Sequence, residues 1–311
     1  MKSSAIAVTG LRKAYGDKIV LDGIDFEVAT GSVYSMLGPN GAGKTTTVNI
    51  LTTLMTADAG TVRVAGHDVA TGIKQVRAAI GVTGQFAAVD ELLSGRENLQ
   101  LMADLKRVRS RDVVTGLLER FDLVESADKL VATYSGGMRR KLDLAMTLIG
   151  KPEIIFLDEP TTGLDPRSRR TMWDIVRGLV ADGTTIFLTT QYLDEADELA
   201  DRIAVLNHGR LVAEGTPEQL KRRIPGGHVR LRFTDPAAYR SAAATLREAA
   251  TDDETLSLRI PSDGSQRELR SVLDWLDSVG IEADELSLHT PDLDDVFLAL
   301  TENTTKEAIA R

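Results

Sequence analysis

The stretch Gly38-Pro-Asn-Gly-Ala-Gly-Lys44-Thr45 decides the fold. It satisfies the pattern G-x-x-x-x-G-K-[ST] in full. The flanks agree, because Gly31–Leu37 reads as a strand leading in and Lys44–Leu54 as a helix leading out. Glycines at these positions let backbone N–H groups turn inward around phosphates, and the helix N-terminus adds a favourable dipole. Lys44 then reaches the β- and γ-phosphates, and the Thr45 hydroxyl ligates Mg²⁺. A dinucleotide fold fits less well, since Gly41-Ala-Gly43 continues into Lys44-Thr-Thr46 where a third glycine belongs.

Further along lies Ile154-Ile-Phe-Leu-Asp158-Glu159, an apolar strand that ends in two acids. In a parallel sheet such a strand delivers its carboxylates to the C-terminal edge, where ligands bind. Alone, the pair would read as a solvated strand boundary. Behind a phosphate loop, Asp158 reads as the group that holds Mg²⁺ through water. Glu159 reads as the general base that polarises the attacking water.

Around these motifs, short β-branched runs alternate with helical patterns, the signature of a largely parallel α/β sheet. Ile19–Val28, Thr61–Val64 and Thr184–Thr190 read as strands, and Ser110–Leu123 and Arg167–Val180 as helices. Ile203–Leu206 and Arg210–Ala213 form a hairpin around Asn207–Gly209. Lys221–Gly227 ends Pro-Gly-Gly and reads as a linker. The expected domains are therefore residues 1–222 and a smaller α/β domain at 228–311, in which strands and helices again alternate.

The bulk composition sets limits on function. The chain has 311 residues, 42% hydrophobic and 27% charged, ordinary values for a globular protein. It has no cysteine, which excludes disulfides and thiolate metal sites, and its four histidines lack ligand spacing. A net charge of −9 argues against nucleic acid as a partner. No signal peptide and no membrane-spanning stretch of ~20 apolar residues is visible, so a membrane role requires a partner.

The third motif is Tyr134-Ser-Gly-Gly-Met138, which opens a helix at Met138–Ile149 with Ser135 placed to cap it. A capped helix with a flexible entry would look the same, but this one lies about twenty residues before the acidic strand. A phosphate-loop domain with a second glycine-lined helix N-terminus resembles the ABC ATPases, whose signature is Leu-Ser-Gly-Gly-Gln. Ser135-Gly136-Gly137 is intact here, with Tyr134 and Met138 as the outer residues.

That resemblance covers residues 5–220 and implies an α/β P-loop NTPase domain of ABC type with a helical subdomain. It implies ATP as substrate, contacted by Gly38, Pro39, Asn40, Gly41, Ala42, Gly43, Lys44, Thr45 and Thr46. Tyr15 falls where the family stacks an aromatic ring on adenine, and Gln85 at the loop glutamine that contacts Mg²⁺ and the transport partner. Asp165, in Gly163-Leu-Asp165, falls in the loop that lies across the family's dimer interface. The implied Mg²⁺ ligands are Thr45, Gln85 and Asp158; the implied catalytic residues are Glu159, Gln191 and Lys44. The family's switch histidine is absent, and Thr189-Thr190-Gln191-Tyr192 stands in its place. Gln191 can orient water but cannot carry a proton, so Glu159 is expected to supply the base and Gln191 only geometry.

TTQYLDEAD, YSGGMRRKLDLA and Leu293-Asp-Asp-Val-Phe-Leu298 together resemble the daunorubicin-resistance branch of bacterial exporters. The resemblance implies a head-to-tail homodimer, in which each signature covers the other copy's ATP. It also implies a separate multi-span membrane subunit, contacted through residues 86–99, and a peripheral position on the cytoplasmic face of the membrane. Drugs such as anthracyclines are the implied cargo, with an endogenous lipid or polyketide as the alternative. The C-terminal domain would assist assembly or regulation, although Leu293, Val296, Phe297 and Leu300 also suit plain packing. A soluble ABC protein of translation or DNA repair fits less well, since a second cassette and long coiled-coil or zinc insertions are lacking.

Overall fold

The computed structural model describes residues 4–85, 87–108, 111–222, 227–246, 249–262, 265–289 and 292–298. The chain divides into two compact units, Met1–Pro217 and Glu218–Arg311.

The first unit opens with β1 (Ser4–Tyr15), β2 (Lys18–Ala29), β3 (Val33–Leu37) and α1 (Lys44–Leu51). Next come β4 (Ala59–Val64), β5 (His67–Asp68), α2 (Ile73–Ala79) and β6 (Ile80–Thr83). A helical stretch follows: α3 (Gly95–Leu105), α4 (Arg111–Arg120) and α5 (Gly136–Leu148). The unit closes with β7 (Ile154–Asp158), α6 (Pro166–Ala181), β8 (Thr185–Thr190), α7 (Leu193–Leu199), β9 (Arg202–Asn207) and β10 (Arg210–Gly215).

The main sheet has the order β10-β9-β3-β8-β7-β6 and is parallel except for β10, which returns antiparallel to β9. Every residue of β3, β7 and β8 is buried. Strands apolar on both faces must be covered on both, which is why they pair in parallel at the centre. One face is covered by Leu142, Ala145, Met172 and Val176 from α5 and α6, packed in one core with Ile155, Leu157, Ile186 and Leu188. The other meets an antiparallel sheet, β2-β1-β4-β5. There Phe26 of β2 stacks on Tyr34 at 5.4 Å, and Tyr34 on Phe187 at 5.7 Å.

The antiparallel sheet departs from expectation, which foresaw only the parallel one. β1 alternates imperfectly and carries Gly10, Arg12 and Lys13. Its pairing with β4 (Ile6 opposite Val64) spans a long stretch of chain that local periodicity cannot report. Helix α3 is likewise an addition; it starts on a capping box formed by Ser94 and Glu97.

The second unit contains β11 (His228–Arg232), α9 (Pro236–Thr245), β12 (Ala250–Asp252), β13 (Ser257–Pro261), α10 (Gln266–Val279) and β14 (Glu285–His289), after the short α8 (Pro217–Lys221). Its antiparallel sheet runs β12-β13-β11-β14, the split β-α-β topology. Val229, Leu231, Leu258 and Leu276 build its core. Residues 293–298 are helical, with Leu293 and Val296 buried and Leu298 exposed; Leu300 lies outside the described residues. No helix among the described residues is long and apolar enough to cross a membrane.

Candidate functional site

Parallel register brings three strand ends level: Leu37 of β3 lies opposite Thr190 of β8, and Thr189 opposite Asp158 of β7. The phosphate loop leaves the first, Gln191 follows the second, and Glu159 follows the third. The loop is tied to this edge, since Gly38 N–H donates to the Thr190 carbonyl at 3.3 Å and Gly209 N–H to the Ala42 carbonyl at 3.1 Å. A side chain at Gly38 would collide with the Leu206 carbonyl oxygen. Gly43 has φ 114°, and a Cβ there would lie 2.7 Å from Leu21 Cδ2. These two positions therefore demand glycine for the close approach of neighbouring backbone.

Lys44 is buried, and its ammonium donates to the Gly38 carbonyl at 2.7 Å and the Pro39 carbonyl at 3.2 Å. It also lies 3.3 Å from Glu159 Oε1, itself buried. Thr45, at the start of α1, is exposed, and Thr46 half-buried. Asp158 is buried and accepts from the Thr189 hydroxyl, which in turn accepts from Glu159 N–H at 3.3 Å. Glu159 adopts φ 49°, the left-handed region, a conformation costly for a non-glycine residue. Its other oxygen accepts from the Thr162 hydroxyl at 3.3 Å. The arrangement thus provides a glycine cradle, a buried cation, two carboxylates and an exposed hydroxyl along one sheet edge. Those donors and acceptors fit a Mg²⁺-bound triphosphate.

Gln191 is half-buried beside this edge. The segment after it is pinned to α6. Arg169 sits over the Tyr192 ring at 4.7 Å and the Trp173 ring at 5.5 Å, and pairs with Asp194 at 2.9 Å. Glu195 is fully buried and accepts from Trp173 Nε1 at 3.2 Å; burial holds its carboxyl above the usual carboxylate range.

The signature residues gather elsewhere. Ser135 caps α5, accepting from Met138 N–H at 3.2 Å as expected. Ser135 and Gly136 are exposed, and the atoms that side chains at Gly136 and Gly137 would meet belong to Leu164 and Ser168, not to the phosphate loop. Asp165 caps α6, accepting from Arg167 and Ser168 N–H at 3.0 Å each; the Ser168 hydroxyl holds its carboxyl below the usual range. Gln85 and Gly136 line one open cleft of about 340 Å³ with Gly163 and Leu164. Tyr15, at the end of β1, is 48% exposed, its ring face near Lys13 and its hydroxyl 3.0 Å from Met55 Sδ.

Between the two groups stands a residue that motif reading missed. Arg140 of α5 is buried and donates only to backbone carbonyls: Pro160 at 2.9 Å, Gly84 at 2.7 Å, Asp158 at 3.2 Å and Glu159 at 3.1 Å. Asp143, one turn on, accepts from Ala88 N–H at 3.0 Å.

Comparison with known proteins identifies the family. Residues 21–162 match the family described as ABC transporter. The chain is 49% identical over 315 residues to the daunorubicin resistance ATP-binding protein DrrA3 of Streptomyces coeruleorubidus, covering 99% of this chain and 100% of that one. It is 48% identical to the daunorubicin/doxorubicin resistance ATP-binding protein DrrA of Streptomyces peucetius, covering 98% and 96%. Among solved structures, the ADP conformation of an ATP-binding cassette of an ABC transporter superposes with a TM-score of 0.64 at 25% identity, covering 70% of this chain and 92% of that one. The chain belongs to the ABC transporter family, as an ATP-hydrolysing subunit of the branch that contains the daunorubicin-resistance ATP-binding proteins.

Proposed function

We propose that this subunit powers the efflux of hydrophobic drugs of the anthracycline class through a separate membrane subunit. The observation that carries the reading is the full-length similarity to daunorubicin-resistance proteins, joined to a complete phosphate loop with Glu159 set against Lys44. In this reading Glu159 is the general base, Lys44 steadies the terminal phosphates and Gln191 orients the attacking water. Thr45, Asp158 and Gln85 would hold Mg²⁺, which when bound neutralises developing charge on the phosphate oxygens. Tyr15 offers an exposed ring for the adenine.

The exposed, capped N-terminus of α5 has no phosphate loop of its own chain beside it. A second copy, arranged head to tail, supplies one, with Ser135, Gly136, Gly137 and Asp165 facing its nucleotide. Closure of the two copies on ATP and reopening after hydrolysis would provide the stroke. The subunit would then lie peripherally on the cytoplasmic face of the membrane, through residues 86–99 against the membrane subunit. Residues 1–222 would form the motor and residues 228–311 an assembly or regulatory domain.

Export of an anthracycline from cells that hold the membrane subunit tests the proposal. Wild type should lower intracellular drug and Lys44→Ala should not. Unchanged accumulation with wild type, beside efflux of a lipid or polyketide, would move the cargo to the alternative class.

A further inference from the structure

Helix α5 carries the signature glycines at its N-terminus and, one turn further on, two buried charged side chains. A buried guanidinium is costly unless every donor is used and a counter-charge is near. Arg140 makes four hydrogen bonds with its five N–H groups, all to backbone carbonyls, and has a carboxylate nearby. Its Nε and Nη2 hold the carbonyls of Asp158, Glu159 and Pro160, the whole turn in which Glu159 takes its left-handed conformation. Its Nη1 holds the carbonyl of Gly84, immediately before Gln85.

Asp143 supplies the counter-charge, with Oδ2 3.7 Å from Arg140 Nη1. Through Oδ1 it accepts from Ala88 N–H, three residues beyond Gln85 in the same loop. Two side chains of one helix therefore hold the backbone on either side of Gln85, at Gly84 and Ala88, and the full turn of Glu159. Asp143 Oδ2 itself is buried without a hydrogen bond among the described residues.

We propose that Arg140 and Asp143 are positioning residues for ATP hydrolysis, which lock the Gln85 loop and the Glu159 turn to the signature helix. When the α5 N-terminus docks on the partner copy's nucleotide, any displacement of the helix reaches Glu159 and Gln85 of its own site. Each site thereby senses the other through hydrogen bonds to backbone. Lysine cannot reproduce this, because one ammonium with three donors cannot span carbonyls that a planar five-donor fork reaches together. The proposal rests on Glu159 as base, and its test separates the two.

The test compares wild type, Arg140→Lys, Glu159→Gln and the double variant of the full chain in ATP hydrolysis, with single-turnover rates for the slow proteins. Arg140→Lys should lower kcat about tenfold or more, since small misplacement of a catalytic group is that costly, and leave KM for ATP within about threefold. On the Glu159→Gln background the same substitution should cost nothing further, because residues acting as one unit are not additive. A folded Arg140→Lys protein with kcat within about twofold of wild type would overturn the proposal, as would an equal loss on both backgrounds. Retained turnover in Glu159→Gln alone would sink the base assignment; the kcat of Arg140→Lys then still decides the positioning role. Should circular dichroism show Arg140→Lys unfolded, Asp143→Asn takes its place under the same criteria. It keeps an acceptor for Ala88 N–H and removes the counter-charge.

Discussion

Lys44 Nζ lies 3.3 Å from Glu159 Oε1, and both side chains are buried. The ammonium that the phosphate loop reserves for a triphosphate is thus already satisfied by a carboxylate and two loop carbonyls. Under the proposed roles, ATP takes the Lys44 ammonium from that carboxylate and leaves Glu159 available as the base. Glu159→Gln should therefore bind ATP as tightly as wild type or more tightly, while turnover falls about 10²–10⁴-fold. Nucleotide binding by fluorescence beside steady-state hydrolysis reads both quantities. Intact turnover with intact binding would remove Glu159 from the mechanism.

Gln191 follows β8 at the same sheet edge, where the family resemblance implies a switch histidine. An amide does not titrate, so the kcat profile of wild type should show no limb attributable to residue 191 between pH 6 and 8. Gln191→Ala should reduce kcat about tenfold and leave Glu159 functional, as loss of a water-orienting group does. Gln191→His should introduce an acid limb near an unperturbed imidazole pKa of ~6.5. If Gln191→Ala abolished turnover and Glu159→Gln did not, the roles would have to be exchanged.

Gly38 and Gly41 separate steric need from conformational need in the phosphate loop. Gly41 has φ 80° with open space around it, so Gly41→Ala carries only backbone strain, about 1 kcal/mol. Gly38 has an ordinary φ, but its Cβ would strike the Leu206 carbonyl, which belongs to β9 and cannot swing aside. Gly38→Ala should cost about 2–4 kcal/mol. In a unit of this size that is a melting-point loss several degrees larger than for Gly41→Ala. Equal melting points for the two variants would mean that β9 yields at little cost.

How far these residues could be read beforehand depended on how local their signal was. The phosphate loop, the Asp158-Glu159 strand end and the Ser135 cap are written in contiguous residues, and the structure gathers the first two at one sheet edge. Arg140 stands in Arg139-Arg-Lys141, which looks like a solvated basic run. Only the packing of α5 against the 84–88 loop and the 158–160 turn turns its middle residue inward. Glu195 was hidden in the same way within an acidic run. The β1–β4 sheet escaped notice because a long intervening segment, including the phosphate loop itself, separates its partners. Backbone carbonyls as ligands leave no trace in sequence at all, and all four acceptors of Arg140 are of that kind.

Asp143 offers a check on the buried pair that is independent of turnover. Burial outweighs the Ala88 N–H and the Arg140 guanidinium, so its carboxyl is pushed up to about 6 from an ordinary 3.8. A carboxyl raised by folding binds its proton more tightly in the native state than in the unfolded chain. Its contribution to stability is therefore fully present below the unfolded value and lost as pH rises through about 6. Between pH 7 and 5, wild type should gain about 1 kcal/mol relative to Asp143→Asn, whose amide does not titrate. Other groups shift both proteins alike and cancel in the difference. Unfolding by urea at the two pH values measures it. A difference that stays flat would show Asp143 to be ionised throughout the range, with the Arg140 counter-charge stronger than its burial.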